Sequence, residues 1–255
     1  MIKLLKEFLK KIIPRSLIKI RERYLLDKNR NKFLNIPTDK IFSKIYTDKI
    51  WCPEDQKSNH EFYSGIGSHN IEFVKSYTDN VKLFLKRFPS KPNVIDLGCG
   101  DFAVGSILRK SCNNYIAVDI FDKLINKNKK IYKNLNVDFR TLDITKDNLP
   151  DADICFLRQV LQHLSNDLIM KLLTLIKKKY KFLIITEHLP SKKDFIPNID
   201  IPTGPFIRID KDSGVVLTRE PFNLQIKQEE NICNVYPKSI KNFEGVINTK
   251  VLQLY

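Results

Sequence analysis

The chain has 255 residues, 42% of them hydrophobic and 10% aromatic, enough to bury the core of one large α/β domain or two small ones and too many for a disordered chain. Eight Gly and twelve Pro exclude collagen-like and linker compositions, and no stretch reaches the ~18 uncharged apolar residues of a membrane-spanning helix. Lys and Arg outnumber Asp and Glu by 44 to 29, but eleven of those cations and only three acids fall within residues 1–32, leaving no dense basic face with interleaved aromatics to grip nucleic acid.

In chain order, Ile2, Leu4, Leu5, Phe8, Leu9, Ile12 and Ile13 lie at helical spacing with Lys on the other face, and Pro14 ends the pattern. Lys6, Lys10 and Lys11 interrupt any signal-peptide core. Such a basic amphipathic helix either docks on its own domain or a second subunit, or rests on an anionic membrane surface, so a peripheral membrane contact through residues 1–32 is one expectation. Five Cys with no Cys-x-x-Cys argue for a reducing compartment, the cytoplasm, over a disulfide or zinc framework.

The segment 48–68 carries the lone Trp51 and a Ser-Gly-x-Gly-Ser turn at Ser64, Gly65, Gly67 and Ser68, which together with the first helix makes residues 1–68 an N-terminal lid region ahead of a main domain at 69–255. Ile71, Val74, Tyr77, Val81, Phe84 and Phe88 then predict a helix over 69–88. Short apolar runs predict strands at 93–97, 115–120, 137–143, 153–157 and 182–186, with helices at 104–110, 123–133 and 166–179, the last capped by Ser165. Runs at 224–226 and 246–254 are placed as a closing antiparallel pair. The fold expected is Rossmann-like α/β, a mostly parallel seven-stranded sheet with helices on both faces.

Ligands of such sheets bind beyond the carboxyl ends of the strands. After the first strand stands Asp96-Leu97-Gly98-Cys99-Gly100-Asp101, a turn that lets backbone approach a ligand closely. As a dinucleotide fingerprint it is weak, because Asp96 and Asp101 would face a pyrophosphate dianion. A cationic adenosine-bearing ligand reverses that sign, and S-adenosylmethionine, which leaves as S-adenosylhomocysteine, is such a ligand. Asp119 ends the second strand where a carboxylate can accept from both ribose hydroxyls. Asp143 ends the third near an adenine amine, with Ile120 and Ile144 beside the ring.

These residues, in VIDLGCGDFAVG (94–105), IAVDI (116–120), LDI (142–144), DICFLRQVLQHLSND (153–167) and FLIITEHLP (182–190), resemble the class I S-adenosylmethionine-dependent methyltransferases. The resemblance implies that Asp96, Gly98, Cys99, Gly100 and Asp101 line the methionine end, that Asp119, Ile120, Asp143 and Ile144 line the adenosine, and that Trp51, Gly65 and Ser68 close over the cofactor. The Trp51–Ser68 segment and the stretch 197–222 further resemble methyltransferases of bacterial surface-polysaccharide synthesis, including a capsular phosphoramidate type, although Cys52 stands where that group has Gly after the Trp.

His188 and His163 are the candidate general bases, with Glu187 expected to orient His188. Arg158, Gln162, Glu187, Asn198, Asp200 and Arg208 are the candidate substrate residues, the last three in an insertion at 190–222 too long for an ordinary connection. The acceptor expected is a small molecule or glycan with an anionic group. No metal site is expected, since the carboxylate spacing of cation-dependent enzymes is missing. An RNA or protein methyltransferase, a nonenzymatic adapter and a nicotinamide oxidoreductase are the competing readings, the first disfavoured by Leu157-Arg158-Gln159-Val160 in place of an Asn/Asp-Pro-Pro-Tyr motif and the last by the acidic loop.

Overall fold

The computed structural model describes residues 28, 30, 32–241 and 243–255, so the amphipathic helix expected at 1–13 lies outside the described residues. Seven strands are present among them: β1 (Val94–Leu97), β2 (Tyr115–Asp119), β3 (Asp138–Thr141), β4 (Ile154–Arg158), β5 (Phe182–Leu189), β6 (Gln228–Val235) and β7 (Val246–Gln253). They form one sheet in the order β3-β2-β1-β4-β5-β7-β6. The first five are parallel, and β7 runs antiparallel between β5 and β6. The principal helices are α1 (Thr38–Thr47), α2 (Ile71–Leu85), α3 (Ala103–Leu108), α4 (Asp122–Ile131) and α5 (Asn166–Ile176).

The central strands are apolar on both faces because both faces are covered. Ile95, Leu97, Cys155, Leu157, Leu183 and Ile185 pack against Ile169, Leu172, Leu173 and Ile176 of α5. On the opposite face Val94, Ile154, Phe156 and Ile184 meet Val74, Tyr77, Val81, Phe84 and Leu85 of α2 with Val104 and Leu108 of α3. Each such side chain contributes roughly 1.5–3 kcal/mol of gross burial, so Leu172→Ala in the α5 seam costs on the order of 2–5 kcal/mol. The start of α2 is fixed twice, by Asn70 Oδ1 accepting from the Glu72 amide at 2.9 Å and by the Glu72 carboxylate accepting from the amides of Lys238 and Ser239.

Two expectations change. The run 224–226 is not a strand: Leu224 is buried against the α5-side core, and the edge strand begins at Gln228, with mostly exposed side chains and no apolar run to announce it. Ser165 does occupy the N-cap position of α5, but its hydroxyl caps nothing. Asp200 Oδ1 reaches in from the 190–222 insertion to accept from the Asn166 amide at 2.8 Å. Among the described residues no helix is long and apolar enough to cross a membrane.

Candidate active site

A cleft of about 440 Å³ opens at the carboxyl ends of β1 to β5. Its floor is the turn after β1. Gly98 (φ +78°) and Gly100 (φ +57°) adopt left-handed backbone, and the amides of Gly98 and Cys99 both donate to the Val118 carbonyl at 2.8 Å. That fastens the turn to β2. At the end of β2, Asp119 accepts from the amides of Gly100 (Oδ2) and Phe121 (Oδ1), each at 3.1 Å. Beyond β3, Asp143 accepts from the Thr145 amide and hydroxyl and lies against Leu142, Ile144 and Thr145 in the cleft wall.

The roof comes from the N-terminal segment. Tyr46 of α1 stacks on Phe121 with ring centroids 5.5 Å apart, and Trp51 packs edge-on against Tyr46 and 4.7 Å from the His163 ring, its indole N–H donating to the Pro205 carbonyl. The turn from Ser64 to Ser68 closes the remaining side. The Ser64 amide donates to Asp101 Oδ2, and the Asp101 amide donates to Ser64 Oγ. Arg158 at the end of β4 donates from Nη2 to the Gly67 carbonyl and lies over the Tyr77 ring. Gln159, held in left-handed backbone (φ +55°) with its amide on the Thr186 carbonyl, lays its side chain against Gly67. A non-glycine residue in that conformation costs on the order of 1–3 kcal/mol and persists only where surrounding contacts enforce it.

Of the expected cofactor residues, Gly98, Cys99, Gly100, Asp119, Ile120, Asp143, Ile144, Trp51, Gly65 and Ser68 line the cleft. Asp96 does not: it lies beneath the floor, 9% exposed, where it accepts from the Tyr115 hydroxyl at 2.9 Å. Asp101 does not either, since its carboxylate is taken up by the lid through Ser64, His69 Nε2 at 2.7 Å and the Ala103 amide. Burial alone would raise the Asp101 pKa, but His69 and these amides hold it below the ordinary carboxylate range. Burial pushes Asp96 and Asp119 up to about 6. With Asp101 taken up by His69 and Asp143 3.3 Å from Lys146 Nζ, Asp119 is the cleft carboxylate whose bonds are to backbone amides, which leaves it to accept from a ligand's hydroxyl donors.

Of the expected substrate residues, Arg158 and Gln162 line the cleft, whereas three others are structural. Arg208, 1% exposed, donates to the carbonyls of Ile199, Leu161 and Leu164 and to Asn166 Oδ1. Asn198 (φ +60°) donates to the carbonyls of Val216 and Glu220 and accepts from the Val216 amide. Asp200 caps α5. These residues fold the insertion onto the domain. What the insertion gives the cleft instead is Pro205, Phe206, Ile207 and Asp210.

Glu187 cannot orient His188, because successive strand residues point to opposite faces. It is buried on the α5 side with neither carboxylate oxygen hydrogen-bonded at close range among the described residues, and burial pushes it up to about 8 against the opposing pull of Arg208 and the Leu161 and Gln162 amides. His188 faces the cleft from the other side of β5, where the Glu244 carbonyl accepts from its Nε2 at 2.5 Å. His163 gives its Nδ1 hydrogen to the Phe206 carbonyl at 3.1 Å, and Gln162 Nε2 lies 3.2 Å from its Nε2. Burial pulls His163 down to about 4 and lowers His188, so both rings are neutral near pH 7.

The sequence did not reveal Phe42, Tyr46, Phe73, Phe206, Phe243 or Gln159 as cleft residues. Aromatics at such positions are indistinguishable from core until the chain is folded, and nothing in Gln159 signals its backbone conformation.

Residues 95–179 match a family model described as a methyltransferase domain. No curated protein sequence matches the chain. Among solved structures, it is similar to the magnesium protoporphyrin IX methyltransferase of Synechocystis with bound S-adenosylmethionine (12% identity, TM-score 0.56, covering 86% of this chain and 99% of that one). It is also similar to the N-methyltransferase NodS of Bradyrhizobium japonicum with S-adenosylhomocysteine (12%, 0.57, 82% and 98%). Human N-acetylserotonin methyltransferase with S-adenosylmethionine is a third (16%, 0.52, 86% and 60%). At these identities the likeness establishes a shared fold.

Proposed function

Carrying a methyltransferase domain on the fold of the class I methyltransferases, the chain is, we propose, an S-adenosylmethionine-dependent methyltransferase that acts on an oxygen, hydroxyl or phosphate-type, of a sugar-linked small molecule or glycan of the surface-polysaccharide kind. The observation that carries the cofactor is the pair of carboxylates, Asp119 and Asp143, lining the same cleft as the Gly98–Gly100 turn. Asp119 would accept from ribose hydroxyls with the lone pairs left over from its two amide bonds, Asp143 from the adenine amine, and Leu142 and Ile144 would cover the ring. When bound, S-adenosylmethionine supplies a methyl group already activated on a sulfonium. The chain's own residues then align the acceptor, exclude water under the Trp51 roof and the Ser64–Ser68 turn, and receive a proton if the acceptor brings one.

The polysaccharide assignment rests on the resemblance of the 51–68 and 197–222 segments, and the contact of residues 1–32 with an anionic membrane surface rests on their charge pattern. Calorimetric titration of S-adenosylhomocysteine tests the first step: binding to the native chain, and at least tenfold weaker binding to Asp119→Ala, are expected. Comparing surface glycans by mass spectrometry with and without this protein tests the second, where loss of one methyl group is expected. Sedimentation with anionic against neutral vesicles tests the membrane contact.

A further inference from the structure

Asp119 and Asp143 sit beyond β2 and β3, so the far side of the cleft, beyond β4, β5 and β7, is left for the acceptor. With strands about 4.8 Å apart, β5 is about 14 Å from β2 across the sheet. That side is walled by Phe73 and Phe243, whose rings are 5.5 Å apart, and by Ile247, Ser68, Arg158 and His188.

Charge on that side is sparse among the described residues. Among the described residues Arg158 is the one Lys or Arg in the cleft lining; it donates to the Gly67 carbonyl and reaches toward Ser68 Oγ, its buried Nε has no partner among those residues, and the Asp96 carboxylate offsets part of its charge. The remaining carboxylate of the lining, Asp210, is bonded to Arg30 at 3.1 Å. Among the described residues an anionic nucleophile would meet only Arg158, tied to the Gly67 carbonyl and partly offset by Asp96, and an ammonium would meet on this side only Asp210, paired with Arg30. Of the two arginines behind the expected anionic acceptor, Arg208 is enclosed among backbone carbonyls and Arg158 alone reaches the cleft.

What this wall does offer is a hydrogen-bond acceptor. A carbonyl oxygen only accepts, so His188 Nε2 must carry the hydrogen it gives to Glu244, and Nδ1 keeps its lone pair with no partner among the described residues. The arrangement is enforced. Phe243 stacks on the imidazole at 4.7 Å and 10°, and Gly245, in left-handed backbone (φ +90°), brings the chain so near that an added Cβ would lie 2.9 Å from Nε2 and 2.4 Å from the Leu189 carbonyl oxygen. His163, by contrast, already has Gln162 against its free nitrogen.

Resting on the methyltransferase reading, we infer that the group methylated is an uncharged hydroxyl, and that His188, fixed as its Nε2–H tautomer by the Glu244 carbonyl, takes the hydroxyl proton at Nδ1. The acceptor oxygen forms the C–O bond as the C–S bond breaks, sulfur leaves as a neutral thioether with that electron pair, and the proton moves to Nδ1. The imidazolium so formed still donates through Nε2 to Glu244 and then returns its proton to solvent. Glu244 and Gly245 are positioning residues.

The test is ¹⁵N–¹H correlation spectroscopy of the imidazoles in the S-adenosylhomocysteine complex, with His188 assigned by loss of its signals in His188→Gln. The expected result is a neutral His188 with its proton on Nε2, exchanging slowly with solvent, and no change at His188 or Arg158 when inorganic phosphate is added. Gly245→Ala should leave S-adenosylhomocysteine affinity within about twofold and release the ring into mixed tautomers. If that variant does not fold, fast exchange of the Nε2 proton in the native protein overturns the positioning. An Nδ1–H tautomer, or saturable phosphate shifts at His188 and Arg158, overturns the hydroxyl assignment while leaving the methyltransferase reading intact. Failure to bind S-adenosylhomocysteine removes that reading itself.

Discussion

Ser64 and Asp101 are bonded to each other twice, Ser64 amide to Asp101 Oδ2 at 3.1 Å and Asp101 amide to Ser64 Oγ at 2.7 Å. The pair closes the lid turn onto the loop after β1, and His69 adds a charge-assisted bond to the same carboxylate. Asp101→Asn removes that charge, and Ser64→Ala leaves the Asp101 amide without its acceptor. Both variants should release S-adenosylhomocysteine faster, by about tenfold or ~1.4 kcal/mol, in stopped-flow displacement, with little change in association rate. Unchanged dissociation would mean that the turn does not retain the ligand.

Arg208→Met should be among the most damaging single changes in the insertion. The guanidinium satisfies three carbonyls and the Asn166 side-chain oxygen in a dry interior, so truncation strands those acceptors. The expected loss is on the order of 3–5 kcal/mol in urea unfolding. Arg208→Lys should recover little, because one ammonium cannot span acceptors held by a planar fork. A loss under ~1 kcal/mol for the Met variant would refute the structural role.

The contrast between Arg208 and Asp119 shows what was legible in the chain. Asp119 ends an apolar strand of parallel register, and strand periodicity alone delivers such a residue to the ligand end of the sheet. The position of Arg208 depends on how the 190–222 insertion folds, and there no periodicity exists to read. The same holds for β6, whose Gln228–Val235 sequence is mostly polar because it is the sheet edge. Pairing Glu187 with His188 failed for a simpler reason, the two-residue period of a strand, once β5 extended to Leu189.

Glu187 sets a pH dependence of stability. Its pKa is raised to about 8 in the folded state, so between the ordinary carboxylate range and pH 8 the native protein holds a proton that the unfolded chain has lost. Stability should therefore fall as pH rises from 6.5 to 8, by at most about 1.4 kcal/mol per unit, and go on falling toward pH 9, where burial keeps the Cys99, Cys112 and Cys155 thiols protonated while those of the unfolded chain ionise. Below pH 6 Asp96 and Asp119, both raised to about 6, join Glu187 in holding protons that the unfolded chain has lost, and together they outweigh the lowered His163 and His188, so stability should keep rising on acidification toward the ordinary carboxylate range. Chemical unfolding across pH 5–9 checks this, and Glu187→Gln should abolish the decline between pH 6.5 and 8. A variant that keeps the native slope would assign it to another group.

Gly98 is constrained in two separable ways. Its φ of +78° penalises any side chain, and an added Cβ would lie 2.6 Å from Val160 Cγ2. Gly98→Ala should therefore push on the β4 connection that carries Gln159 and Gln162 and weaken S-adenosylhomocysteine binding more than tenfold. Adding Val160→Ala opens the space but leaves the backbone conformation unfavourable by about 1 kcal/mol. The double variant should recover most of the affinity, with a residual stability deficit of that size in thermal unfolding. If the two substitutions were simply additive, the contact between Gly98 and Val160 would not be what limits the turn.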